Sequence, residues 1–218
     1  MAATSPTPDD ALPLRQRKKQ RTRRLLADAA LTLFSERGFD RVTLEELAAH
    51  AEIARSTFFR YYPSKEDVAM AAEGELWDAY TTHFAHGTGR GPALQTLRTS
   101  LIAAIESMDD NWERRFLATR RLAAGNPVLR DHSILSSIKV QTRLVEVLEK
   151  RLDADGRYDV RLRLLGELAL SAWRCGARNW IAGRGYEGRQ WPGGRDVLAR
   201  RVAEAFDAIP PSLTVELP

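Results

Sequence analysis

The stretch RSTFFRYYPSKED, residues 55 to 67, sets four aromatic rings, two arginines and a lysine between two apolar runs. Arginine can hold a phosphate or read a guanine edge, and serine can bond either, so this mixture suits a nucleic-acid partner. Other residues offer enzymatic patterns without their context. Ser136 to Lys139 reads S-x-x-K but has no companion motif, and no strand precedes the glycines at Gly87, Gly89 and Gly91. His83 and His86 have metal-ligand spacing but lack a third ligand, which favours a pair at a helix end. No catalytic residue, metal ligand or cofactor is expected. Cys175, mid-helix among apolar neighbours, is expected to be buried filler.

Charge points the same way. The 218 residues carry 33 Lys/Arg and 29 Asp/Glu, a net +4, but the excess is local. Residues 11 to 65 hold 12 basic against 6 acidic side chains, whereas residues 66 to 218 hold 21 of each. A basic segment of this kind is the footprint of a phosphate-backbone partner. A single cysteine excludes an internal disulfide and points to a reducing, cytoplasmic setting. Leu25 to Phe34 follows a basic run as a signal peptide's apolar core would, but Asp28 interrupts it and Leu26, Ala30 and Phe34 recur at helical spacing. No apolar run approaches the roughly 20 residues that span a bilayer. No membrane partner is expected.

The elements that must carry these residues all read as helix, so the predicted fold is all-α. Residues 1–13 are expected to form a disordered tail. A helix from about residue 15 buries Leu26, Ala29, Ala30, Leu33 and Phe34 and stops at Gly38. Thr43, with Glu46 three residues on, makes a capping box for a second helix over 44–51. A third spans 55–61 and ends before Pro63, and Ser64 caps a fourth that starts at Lys65 and continues through Val68, Ala71, Leu76 and Tyr80. Further helices are placed near 92–109, 112–124, 127–152 with a break near His132, 157–183 and 195–208.

Two short helices joined by a three-residue turn have the dimensions of a helix-turn-helix, whose second helix enters the major groove. On that helix Phe58 and Tyr62 share one face and should pack inward on Leu44, Leu47 and Ala48. Arg55, Ser56, Phe59 and Arg60 fall on the other face, and Tyr61 is not easily hidden.

Residues 22 to 68, TRRLLADAALTLFSERGFDRVTLEELAAHAEIARSTFFRYYPSKEDV, resemble the DNA-binding domain of the tetracycline-repressor (TetR) family, with matches at Arg23, Leu26, Ala30, Phe34, Gly38, Thr43, Leu47, Ala48, Thr57, Phe59, Tyr62, Ser64, Lys65 and Glu66. The resemblance implies a homodimeric, all-helical regulator, a repressor in the family's usual manner, that binds a palindromic double-stranded operator and is released by a small molecule. It divides the chain into a helix-turn-helix domain at 14–63, an effector and dimerisation domain at 64–210 joined by the fourth helix, and a tail at 211–218. It also implies DNA contacts from Thr43, Arg55, Ser56, Thr57, Phe59, Arg60, Tyr61 and Lys65, with Thr43 and Lys65 as phosphate anchors. Three departures stand out. The family's turn glycine is Glu52, its capping serine is Ala54, and its phosphate-bonding tyrosine is Phe59, whose missing bond Tyr61 or Ser56 is expected to supply.

The candidate effector pocket is formed by Leu101, Ile105, Met108, Trp112, Phe116, Arg120, Leu144 and Trp173, with Arg121, Leu135 and Leu148 nearby; packed core is the competing use of the apolar ones. The family's terminal helix pair implies a dimer interface at Leu164, Leu168, Ala172, Val197, Val202 and Phe206, against which stands packing within one chain. FFRYYPSKED with SAWRCGARNWIAGRG is similar to the actinobacterial subgroup that includes mycofactocin-type regulators. That likeness implies an acyl-CoA-like effector, with an aromatic compound as its rival. A DNA-binding accessory or architectural module without an effector is the alternative function.

Overall fold

The computed structural model describes residues 14–183 and 193–216. The expected tail at 1–13, most of the linker after the penultimate long helix, and residues 217–218 lie outside them. Every regular element among the described residues is helical. The chain forms two compact units, one with residues up to Gly74 together with Arg114–Ser133, the other with Glu75–Glu113 and residues from Ile134 on.

In the first unit, α1 (Leu14–Arg37) ends where Gly38 takes φ +85°, a left-handed value that suits glycine. A 3-10 turn, Phe39–Arg41, leads to α2 (Leu44–His50), α3 (Arg55–Tyr61) and α4 (Lys65–Ala69). The helical spacing of Leu26, Ala30 and Phe34 buries all three with Phe39, Val42, Leu47, Phe58, Tyr62 and Val68. Tyr62 is fixed further, its hydroxyl donating to the Arg23 carbonyl at 2.9 Å.

The fourth helix departs from expectation. It stops at Ala69, Met70 turns to φ −99°, ψ 15°, and a separate α5 (Ala71–His86) begins. Neither proline nor glycine marks that break. After α6 (Ala93–Glu106) and α7 (Trp112–Gly125), α8 runs unbroken over Pro127–Leu152. The expected interruption near His132 is absent, because nothing there removes a backbone donor and the ring instead lies 3.3 Å from Asp67.

The second unit holds α9 (Val160–Ile181), α10 (Arg195–Asp207) and the short α11 (Ile209–Ser212), which occupies part of the expected tail. Helix α10 packs on α9 and α6. Gly176 permits the first contact, since a β-carbon there would stand 2.7 Å from Val202 Cα and 2.8 Å from the Arg201 carbonyl oxygen.

Candidate nucleic-acid interface

The threonine before α2 is committed within its own helix. Thr43 Oγ1 accepts from the Glu46 N–H at 3.2 Å, and the Thr43 N–H donates to Glu46 Oε2 at 2.8 Å. The hydroxyl also donates to Glu46 Oε2 at 3.0 Å, so the expected phosphate anchor faces a carboxylate. That carboxyl is held below its ordinary value, first by the Thr43 backbone N–H, then by the hydroxyl, with the nearby Arg37 charge assisting.

Lys65 is engaged as well. Its ammonium donates to the carbonyls of Phe39 and Val42 at 3.0 and 3.1 Å and lies 4.2 Å from the Phe39 ring centroid. The expected phosphate anchor therefore ties the start of α4 to the turn preceding α2. One N–H of the three remains for another acceptor.

The turn between α2 and α3 shows what two of the departures do. Glu52 stands where the family usually has glycine and adopts φ +53°, a conformation that side chains resist. Ala54 caps α3 without any side-chain hydrogen bond. Local strain and an uncapped helix start follow directly from these two side chains.

Helix α3 divides its rings as its spacing predicted. Phe58 and Tyr62 are buried, while Phe59 is 40% exposed. Arg55, Ser56 and Arg60 are exposed beside Phe59, and Thr57 and Tyr61 are half-buried on the flank. Each arginine sits by a ring, Arg55 at 5.5 Å from the Phe59 centroid and Arg60 at 5.4 Å from Tyr61. Glu45 of α2 completes the group, its carboxylate 2.9 Å from Arg55 Nη1. Sequence spacing missed Glu45 because the pair joins two helices across a turn. Ser56 shares the exposed face with Arg55 and Phe59, and Tyr61 is half-buried on the flank.

The remaining expected site residues are distributed differently. Leu101, Ile105, Trp112, Phe116, Leu144 and Trp173 are buried, Met108 is half-buried, and Arg120 pairs at 3.1 Å with the buried carboxylate of Glu73, which also accepts from Ser133. A cleft of about 310 Å³ in the second unit is lined by Leu148, one of the expected pocket residues, with Phe84, Arg90, Thr96, Arg151 and neighbouring loop glycines. Of the expected dimer residues, Ala172, Val197, Val202 and Phe206 are buried within the single chain; Leu164 is exposed and Leu168 half-buried. Val197, Val202 and Phe206 belong to α10, which packs on α9 and α6 within the chain, and Ala172 belongs to α9. Cys175, expected to be buried, is exposed. Among the described residues no three His, Cys, Asp or Glu side chains gather as a metal site, and no helix is long and apolar enough to cross a membrane.

A short capped helix, a tight turn and a second helix with a basic outer face define a helix-turn-helix module at the head of an all-α chain. Residues 26–72 match the model for bacterial regulatory proteins, tetR family. The chain is similar to the transcriptional regulator TcmR of Streptomyces glaucescens, 29% identical with 77% of this chain and 76% of that one covered. It also resembles MftR of Mycobacterium tuberculosis, named for regulating mycofactocin biosynthesis, 30% identical over 54% of this chain and 59% of that one. A solved regulator from Aquifex aeolicus aligns over 86% of this chain and 99% of its own at 15% identity, with a TM-score of 0.49.

Proposed function

We propose that this regulator acts as a dimeric repressor on an inverted-repeat operator and that a compact hydrophobic effector releases it. The observation that carries the DNA reading is the exposed set Arg55, Ser56, Phe59 and Arg60, held outward by the buried Phe58 and Tyr62. Residues 14–63 are the DNA-binding part and 64–210 the effector and dimerisation part. Paired α3 helices would then stand about 34–36 Å apart, or a multiple, to meet successive major grooves.

Support for dimerisation lies on α9, where Val160, Leu164 and Ile181 expose apolar side chains. For the effector, support comes from the cleft lined by Phe84, Leu148 and Arg151. About 310 Å³ is the low end of small-molecule pockets, which favours the aromatic compound over an extended acyl-CoA. The experiment is sedimentation of the protein with a duplex selected from random sequence, followed by titration of an aromatic panel and of long-chain acyl-CoA. Two chains per duplex, released by one compound whose own affinity falls equally when the duplex is present, is the expected result. One chain per duplex would overturn the dimer, and indifference to every compound would favour an architectural module.

A further inference from the structure

Phe59 leaves two-fifths of its surface in solvent, on a helix that buries its other phenylalanine almost completely. A benzyl group has no hydrogen bond to offer a phosphate, so its exposure is not explained by backbone contact. Its position on the α3 face beside Arg55 gives it another use. Phe58 meets it at a ring angle of 88° with centroids 6.0 Å apart, and the Arg55 guanidinium lies 5.5 Å from its centroid. Glu45 holds the same guanidinium by Nη1 at 2.9 Å. Ring and fork are thus oriented together before any partner arrives.

We propose that Phe59 and Arg55 read a thymine and an adjacent guanine in the major groove, with Glu45 as the positioning residue. This rests on the DNA-binding reading above. Arginine pairs with guanine O6 and N7, and Arg55 keeps N–H groups on Nε and Nη2 for those two acceptors while Nη1 is held by Glu45. An apolar ring matches the one apolar group on the groove floor, the thymine 5-methyl. Arg55 and Phe59 lie one turn apart on one helix face, so their reach covers adjacent base pairs rather than one.

The test separates methyl from hydrogen bond. Duplexes are selected from a random library by wild-type protein, and each thymine of the preferred site is then replaced by deoxyuridine, which removes only the methyl. One thymine per half-site, next to a guanine, should weaken binding about four-fold when so replaced, the effect of one buried methyl. In Phe59→Ala that ratio should fall to one. Replacing the neighbouring guanine by 7-deazaguanine should weaken wild type but not Arg55→Ala, and Glu45→Gln should lessen the guanine preference without changing the deoxyuridine ratio. All three side chains are exposed, and a melting curve for each variant verifies folding. A preferred site whose thymines all tolerate deoxyuridine, or a uracil effect that survives in Phe59→Ala, overturns the inference while leaving DNA binding intact. Failure to select any sequence overturns the DNA-binding reading beneath it.

Discussion

Lys65 and Phe39 are joined twice, through the ammonium's 3.0 Å bond to the Phe39 carbonyl and its position 4.2 Å from the centre of the ring. With the second bond to Val42, this fastens the start of α4 to the turn that launches α2. A residue type that the family resemblance assigns to phosphate contact is thereby also a strut for the reading head.

Lys65→Ala should lower stability by about 2 kcal/mol, because two carbonyls lose a charged donor. Denaturant unfolding checks it. An unchanged midpoint with weakened, less salt-dependent DNA binding would return the ammonium to the phosphate backbone.

Glu52→Gly should stabilise by about 1 kcal/mol, since glycine accepts φ +53° freely. Ala54→Ser, supplying the absent cap on α3, should add about 1 kcal/mol. Thermal melts of the single and double variants decide this. A loss in Glu52→Gly would show that the glutamate side chain contributes more than its backbone strain costs.

The Thr43–Glu46 capping box implies a pH dependence. Glu46 has a folded pKa below its ordinary 4.5, so its contribution is complete above that value and disappears as pH falls through the lower folded one. The stability difference between wild type and Glu46→Gln should therefore be constant near neutrality and narrow below 4.5. Urea unfolding across acid pH measures it, and a difference independent of pH would remove the carboxylate's charge from the account.

Two glycines should respond in opposite directions to the same methyl group. At Gly176 the new β-carbon meets backbone of Arg201 and Val202 below 3 Å, so Gly176→Ala should destabilise by about 1–3 kcal/mol as α9 and α10 part. Gly74, inside α5 with nothing within 4 Å, should gain about 0.5–1 kcal/mol on the same change. Equal effects at both would place the cost in helix propensity instead of packing.

Much of the reading head was legible because its signals are local. Pro63 limits α3, Thr43 and Glu46 mark α2, and the four-residue spacing of Phe58 and Tyr62 foretells their burial. Elsewhere periodicity identified a buried face without identifying its partner. Val197, Val202 and Phe206 are buried on α10, which packs on α9 and α6, as the competing reading of packing within one chain expects. Cys175 has apolar neighbours in sequence, but on the helix it points to the open side. Contacts between elements left no local trace, so the Glu45–Arg55 pair, the double tie of Lys65 and the break at Met70 emerged only in three dimensions.

The central claim is that the outer face of α3 selects a DNA sequence as a symmetric pair. Sequencing the duplexes enriched from a random library by wild type and by Arg55→Ala, in moderate salt with competitor DNA, tests it most directly. Wild type should enrich an inverted repeat with half-site centres about 10 base pairs apart, or a multiple. Arg55→Ala should lose preference at one position in each half-site and keep the rest. Enrichment of no sequence, or of the same unbroken sequence by both proteins, would contradict the account.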